Sequence, residues 1–339
     1  MPFQIFPDYR HANPFQTLLY ADVAAHHSIG PWKPTEPVVA GTVLHLQWED
    51  IVFRDAPDAD AAMAKVEGVL RLLTDFRAGG GRLIWTLHNI TSHTSGHEQA
   101  EARLRDGLIA LADAIHLLSA QHRAVLERYR AFAHAADKVV EIPHPSYRGH
   151  YQTLDKAQAR ALVGAGTKPL FFFFGAPRQG RVYDRLQAPI VENPAVDKVL
   201  SIPGSSKSVH TPSLKIIDRR LSDVELAVYG SAADFSVMVD ADSLNSGTLI
   251  FYLSYEMKVF VDRAAARHFD LPGYPDGLYF DEALTAKSLN DRLMDPEIDA
   301  AYRAFLVDFH IRTDPAVVAA RFLALVDELA APVSALGPS

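Results

Sequence analysis

The chain contains no cysteine, which removes disulfides, zinc–thiolate sites and thiol nucleophiles from consideration. It has no surplus of basic residues. Its formal net charge is −8, whereas a broad nucleic-acid-binding face needs clustered Lys and Arg, so no nucleic-acid partner is expected. No window supplies the roughly 20 consecutive apolar residues of a membrane span. The longest apolar block, Pro169–Phe174, is only strand length. The opening residues MPFQIFPDYR lack a basic segment followed by an apolar run, so a cytoplasmic protein without a signal peptide is expected. The dinucleotide fingerprint G-x-G-x-x-G is absent after the first strand, and so is the Walker A pattern. Both absences weigh against a nicotinamide dehydrogenase and a P-loop kinase. There is no repeat of fixed period and no low-complexity segment.

What is present is ample for two domains: 339 residues, 48% hydrophobic and 22% charged, the balance of a soluble globular protein. Short apolar strands alternate with amphipathic helices. The strands are Phe3–Phe6, Thr42–Gln47, Leu83–Leu87, Ala114–Leu117 and Lys138–Ile142. Helices are expected from Asn13–Pro14 to about His27, over Asp58–Ala78, over His97–Ala112 and over Ala120–Ala133. Residues 28–41, with three prolines and two glycines, read as loop. The pattern pauses at about 143–166, with a short helix at Lys156–Val163. It resumes with Leu170–Phe174, Lys198–Ile202, Leu214–Ile217 and a helix whose Ser222-x-x-Glu225 fits a capping box. Helices over about 280–294, 296–309 and 314–330 close the chain. This alternation predicts two successive parallel sheets covered on both faces, with the division near residue 150.

The second half is organised around Ala233–Arg263, which reads as a strand over 235–239, a polar loop, a helix opening at Ser246–Gly247–Thr248, and a strand over 258–261. Ser246 is a good N-cap, and Gly247 has no side chain to keep a ligand from the backbone. The free N–H groups and dipole of such a helix start attract an anion, commonly a phosphate. Ligands of open parallel sheets bind at the carboxyl ends of the strands. The polar clusters Gln47–Asp50, His88–His97, Gly175–Arg181 and Asp240–Thr248 all follow strand ends.

These residues resemble the GT-B glycosyltransferases, in particular bacterial enzymes that build exopolysaccharide repeat units. His45–Leu46–Gln47–Trp48 is similar to that family's HLHW strand end, and Trp85–Thr86–Leu87–His88–Asn89 to WTxHN. His93, Ala112–Ile115 and Ile142–Tyr147 follow in order. So do Phe173–Phe174–Gly175 with Arg178, Ala233–Asp234, and Asn245–Ser246–Gly247–Thr248. The resemblance covers about residues 1–265. The chain departs from it at Arg178–Gln179–Gly180–Arg181, where many relatives carry Arg followed closely by Lys-Gly. It departs again at Ser246 and Ser254, where retaining members carry two glutamates.

The resemblance implies an α/β fold of two Rossmann-like parallel-sheet domains facing across a cleft, with C-terminal helices. Residues 1–150 would form the acceptor domain and residues 151–339 the nucleotide-sugar donor domain. The implied activity is hexosyl transfer from a UDP- or GDP-sugar to a glycan, by resemblance a lipid-linked oligosaccharide in polysaccharide assembly, without a cofactor or a divalent metal. Such an acceptor implies peripheral contact with the inner membrane face, to which Arg103, Arg105, Arg123, Arg128 and Arg130 would offer charge. A sugar-nucleotide epimerase of the same fold and a non-catalytic bilobed binding protein remain open.

For transfer, the leaving diphosphate must be stabilised and water kept out. Arg178, Arg181 and the N–H groups at Ser246, Gly247 and Thr248 are the candidates to hold the diphosphate. Inversion needs a base for the acceptor proton, with His93, Glu49, Asp50 and His97 as candidates. If configuration is retained, His88 or His93 would instead stabilise the sugar. Trp48 and Tyr147 are the aromatic candidates for sugar contact, joined by Asp50 and His97, while Trp85 reads as core. His93-x-x-x-His97 and Asp240–Ala241–Asp242 are the two patterns that would suggest a metal, and neither is favoured.

Overall fold

The computed structural model describes residues 1–91, 96–175, 187–204, 209–211, 213–239, 244, 246–269, 271–281 and 284–331. The chain forms two compact units, Met1–Pro145 with Pro315–Ser339, and Ser146–Asp314.

The first unit is built from β1 (Pro2–Phe6), α1 (Pro14–Leu19), α2 (Ala21–His26), β2 (Ser28–Pro31), β3 (Val43–Leu46), α3 (Ala59–Ala78), β4 (Arg82–Thr86), α4 (Glu98–Leu111), β5 (Ala114–Leu117), α5 (Arg123–Leu126) and β6 (Val139–Glu141). The strands form one sheet in the order β2-β1-β3-β4-β5-β6, every neighbouring pair parallel. Strands β3 and β5 are buried at every position, as a sheet covered on both faces requires. Val43, Ile84 and Ala114 face a core shared with Phe15, Leu19, Tyr20 and Val23 of the α1–α2 segment. Behind the other face, α3 packs closely on α4. A Cβ on Gly107 would sit 2.4 Å from Leu70 Cδ2, so only glycine admits that contact. Asp58 caps α3 by accepting the Ala61 N–H, a contact worth about 1 kcal/mol.

The second unit contains α6 (Lys156–Val163), β7 (Leu170–Phe174), β8 (Asp197–Ser201), β9 (Val209–Thr211), β10 (Leu214–Ile217), α7 (Asp223–Ala232), β11 (Phe235–Met238), α8 (Gly247–Ser254), β12 (Lys258–Asp262), α9 (Arg263–Ala266), β13 (Tyr279–Phe280), α10 (Ala286–Leu293) and α11 (Pro296–Arg312). Its sheet order is β13-β12-β11-β7-β8-β10-β9, parallel except for β9 against β10. The Asp234 carboxylate ties the unit together, taking Arg160 at 2.8 Å, Lys156 at 2.7 Å and the Leu170 N–H at 2.7 Å.

Five expectations are corrected. Ser28–Pro31, read as loop, is an edge strand paired with Pro2–Ile5. Its two end residues are exposed, and an edge tolerates its terminal proline. The helix expected over 120–133 is broken into short turns, because Tyr129 adopts extended backbone (φ −101°, ψ 130°). The helix expected from 280 begins at Ala286 instead, after strand β13. The last helix, α12 (Pro315–Ala330), belongs to the first unit rather than the second, burying Val318, Phe322 and Val326 in the core around Phe3 and Tyr20. Phe322 stacks on His45 with ring centroids 5.0 Å apart. The break between units falls at Pro145–Ser146, so Tyr147, assigned above to the acceptor domain, is in the second unit.

Candidate functional site

In the first unit the strand order reverses between β1 and β3, because the chain moves outward from β1 to β2 and then returns to β3 on the far side. Ligand crevices of open sheets lie at such switch points, outside the carboxyl ends of the strands. The residues after β3 are Gln47 to Asp50, and those after β4 include His88.

Trp48 has φ +43°, a left-handed conformation unusual for so bulky a residue. There the chain turns sharply into a single helical turn over Glu49–Val52. The turn stacks the indole on His88, with ring centroids 4.3 Å apart and planes 15° from parallel. Phe15 meets the other side of this pair edge-on, 5.3 Å from His88 and 6.2 Å from Trp48. Gln47 links His88 inward. Its Oε1 lies 2.9 Å from His88 Nε2, and its Nε2 bonds the Tyr20 hydroxyl. Burial, reinforced by His116 and His144, holds the His88 imidazole well below its ordinary pKa, so it is neutral at pH 7.

Behind this pair runs a buried hydrogen-bonded row. The Tyr20 hydroxyl is 2.7 Å from His45 Nδ1, and His45 Nε2 is 2.6 Å from Thr86 Oγ1. Thr86 Oγ1 is 2.8 Å from His116 Nδ1, and His116 Nε2 is 2.8 Å from the Ile142 carbonyl. Sequence reasoning missed Tyr20, His45, Thr86 and His116 as parts of the site. The available signal was polar residues at inward positions of three successive apolar strands.

Glu49 and Asp50 do not join Trp48 and His88. Glu49 is 2% exposed. Its Oε1 accepts from Arg105 Nε at 2.8 Å, and its Oε2 from Trp85 Nε1 at 3.4 Å. A carboxylate so committed is a structural counter-ion rather than a proton acceptor for a ligand. Asp50 is buried, and desolvation together with Glu49 raises its pKa. His97 is buried at the start of α4 against Phe53, and its Nδ1 has no partner among the described residues. His93 lies outside the described residues.

The second unit's switch point falls between β7 and β11. Strand β7 is followed by Gly175, whose φ of +141° favours glycine and whose Cβ position meets nothing within 4 Å. Opposite it, α8 starts at Gly247. The Ser246 hydroxyl accepts the Leu249 N–H at 3.3 Å. The N–H groups of Gly247 and Thr248 have no acceptor among the described residues. Tyr147 is held on this helix, donating its N–H to Ser254 Oγ at 2.8 Å. A Cβ on Gly247 would lie 2.9 Å from the Tyr147 hydroxyl oxygen. Tyr147 is buried, so it forms a wall of the α8 start rather than an open aromatic platform. Arg178, Arg181, Asp240 and Asp242 lie outside the described residues. Among the described residues no three His, Asp or Glu side chains converge as metal ligands, and no helix is long and apolar enough to cross a membrane.

After β10, α7 opens on a capping box between Ser222 and Glu225. Glu225 also takes Arg219 in a two-pronged pair at 2.8 and 2.6 Å. Of the arginines expected to face lipid, Arg105 is 1% exposed and Arg103 pairs with Glu67 at 2.7 Å.

No protein family model and no curated protein sequence matches the chain. Solved structures do. A sucrose-phosphate synthase from Thermosynechococcus elongatus matches with TM-score 0.65 and 13% identity, over 97% of this chain and 99% of that one. HepE of Anabaena, crystallised with UDP-glucose, matches with TM-score 0.62 and 14% identity, over 96% and 91%. The glycosyltransferase SnogD of Streptomyces nogalater matches with TM-score 0.52 and 14% identity, over 95% and 98%. At such identities the likeness is one of fold: the chain has the two-domain α/β architecture of the GT-B glycosyltransferases.

Proposed function

We propose that this chain is itself a glycosyltransferase, moving a hexose from a nucleotide diphosphate sugar to a glycan acceptor without a divalent metal. The observation that carries the reading is the start of α8. Its two N–H groups, without an acceptor among the described residues, sit at the strand-order reversal of the second sheet, where Gly247 carries no side chain. Two N–H donors and the positive end of an eight-residue helix suit a diphosphate, whose charge grows as the sugar leaves. In this reading Arg178 and Arg181 add guanidinium donors, and the second unit holds the donor. The first unit, through Trp48 and His88, receives a sugar. The glycan is proposed to be lipid-linked and the protein peripheral on the inner membrane face. Arg105 contributes nothing to that contact, since it is buried. His93, Asp50 and His97 remain the proposed proton acceptors if the reaction inverts configuration, and Glu49 is withdrawn from that set.

Thermal unfolding in the presence of UDP, GDP, ADP and dTDP, with and without magnesium, tests the reading. A ligand at a hundredfold excess over its Kd adds about 2.7 kcal/mol to native stability. One nucleotide is expected to raise the Tm equally with and without magnesium. A rise seen only with magnesium would overturn metal independence, and no rise with any nucleotide would overturn the donor site. Sugar release that depends on an added glycan acceptor separates the transferase from an epimerase. Binding without turnover would identify a non-catalytic binding protein.

A further inference from the structure

We infer that the backbone carbonyl of Ile142 dictates, through a one-way row of buried hydrogen bonds, which nitrogen of His88 carries the proton. The row leaves His88 Nδ1 as a bare acceptor built for a ligand hydroxyl.

Each step is a matter of counting protons. A carbonyl can only accept, so His116 Nε2, 2.8 Å from Ile142 O, must carry hydrogen. A neutral imidazole has one N–H, so His116 Nδ1 accepts, and the Thr86 hydroxyl donates to it at 2.8 Å. That hydroxyl has spent its only proton, so it accepts from His45 Nε2 at 2.6 Å. His45 Nδ1 is then the lone pair, and Tyr20 donates to it at 2.7 Å. The phenol in turn can only accept from the Gln47 amide nitrogen, which fixes the orientation of that amide. Its oxygen therefore faces His88 Nε2 at 2.9 Å and needs a donor there. His88 carries its proton on Nε2 and presents Nδ1 unprotonated.

Independent observations support the row. Its histidines are neutral: burial holds His45 and His88 well below the ordinary range and brings His116 down to about 4. His45 is locked in place by Phe322 and His88 by Trp48, so neither ring is free to turn over. His45, Thr86 and His116 share one face of the sheet. Ile84 lies opposite His45 and Thr86 opposite His116, and positions two apart on a strand point the same way. Among the described residues His88 Nδ1 makes no hydrogen bond, and it is not one of the sealed orphan atoms. Reversing the row would set a bare His116 nitrogen against the Ile142 carbonyl in the core, an unmade bond between two acceptors.

The ligand class follows. A lone pair attracts a hydroxyl hydrogen and repels a phosphate or carboxylate oxygen. The strongly lowered basicity of His88 makes it a poor general base. His88 is therefore a positioning contact for a sugar hydroxyl, and Thr86, Tyr20, His45 and His116 set its proton without touching the ligand. The identification of that ligand as a sugar rests on the glycosyltransferase reading; the tautomer itself does not.

The test is ¹⁵N NMR of the full chain labelled on histidine, in which Nε2–H and Nδ1–H tautomers give distinct ring signals. The ligand-free protein at pH 7 should show His45, His88 and His116 as neutral Nε2–H forms, with at least a tenfold excess at His88. Thr86→Val cuts the row and should lower that excess tenfold or more, bringing the Nδ1–H form into view. Thr86→Ser restores the hydroxyl and should restore the wild-type signature. Tyr20→Phe cuts the row at another point and should give the same His88 change as Thr86→Val, which covers the case where the valine variant does not fold. An Nδ1–H or charged His88 in the wild type overturns the inference, as does an unchanged His88 in both cut variants. Adding glucose at saturating concentration should move the His88 Nδ1 signal, and inorganic phosphate should not. Movement with phosphate, or none with glucose, overturns the hydroxyl assignment. If no nucleotide binds at all, the glycosyltransferase reading falls and the ligand-free spectra still decide the tautomer.

Discussion

Replacing Arg105 by Met should unfold the first unit at markedly lower temperature. The guanidinium is 1% exposed and serves many partners at once. It pairs with Glu49 at 2.7 Å and Glu101 at 2.9 Å, and donates to the carbonyls of Asn89 at 3.0 Å and Ile90 at 2.7 Å. Methionine fills much of the volume but takes the cation from the buried Glu49 carboxylate and one partner from Glu101. Breaking a buried pair from one side costs about 3–5 kcal/mol, chiefly because the abandoned charge stays in the low-dielectric interior. For a domain of this size each kcal/mol moves the Tm by about 2–4 °C, so a fall of roughly 10 °C is expected. The protein carries its own reporter: Trp32, Trp48 and Trp85 all lie in the first unit, so tryptophan fluorescence follows that unit alone. Adding Glu49→Gln to Arg105→Met removes one stranded charge and should recover part of the loss, a non-additivity that a double-mutant cycle measures. A fall below about 1 kcal/mol, or simple additivity, would refute the buried network. The Glu49→Gln single variant decides the role of Glu49. A structural counter-ion lowers stability and leaves turnover per folded molecule near wild type, whereas loss of a general base costs about 10²–10⁴-fold in rate.

The other predictions concern pH and the α8 start. His116 and His144 are buried and neutral, both lowered to about 4 mainly by burial. A base depressed in the native state contributes stability that is fully present above its unfolded pKa of about 6.5 and lost as pH falls toward 4. Each should cost about 2 kcal/mol on going from pH 7 to pH 5, with His45 and His88 acting in the same direction. Denaturant titrations at both pH values, read by tryptophan fluorescence, check this. Gly247→Val sets a branched side chain against the Tyr147 hydroxyl, beside the Gly247 and Thr248 N–H groups. It should weaken nucleotide binding by tenfold or more with the Tm of the free protein lowered by only a few degrees, as isothermal titration calorimetry and thermal unfolding would show. The Arg219–Glu225 pair is solvent-exposed, so Arg219→Ala should cost less than about 1 kcal/mol in thermal unfolding.

The alternation of elements was legible because buried parallel strands are apolar throughout and their covering helices are periodic. Caps were legible too: Asn13, Ser222 and Ser246 each accept the N–H that their residue type predicts. Ser28–Pro31 was not, since an edge strand held by backbone pairing to Pro2–Ile5 needs no apolar pattern. Helix α12 shows the opposite limit. Its apolar face, Val318, Phe322, Leu325 and Val326, is plain in the sequence. Which sheet that face covers is not, because the rings it meets, Phe3 and His45, lie more than 270 residues earlier. Around Tyr129 a tertiary contact overrode local preference: its hydroxyl reaches Arg105 at 3.2 Å, and the helix expected there is interrupted.

The run Gln47–Trp48–Glu49–Asp50 reads in sequence as one polar-aromatic patch, yet it serves two chemistries on opposite sides of the sheet. Gln47 follows His45 by two positions and so continues toward the α1–α2 side, where it meets Tyr20 and His88. Without the left-handed turn at Trp48, strict alternation would send the indole to the α4 side and Glu49 back toward Gln47. With φ at +43°, Trp48 stays with His88, while Glu49 goes to Trp85 and Arg105. The strained residue thus separates a carboxylate that stabilises the unit from an imidazole left free to meet a ligand. A charged Glu49 placed beside His88 would favour the protonated ring and abolish its bare acceptor. The turn at Trp48 is therefore the local feature on which the neutrality of the site depends, and no residue type in the run announces it.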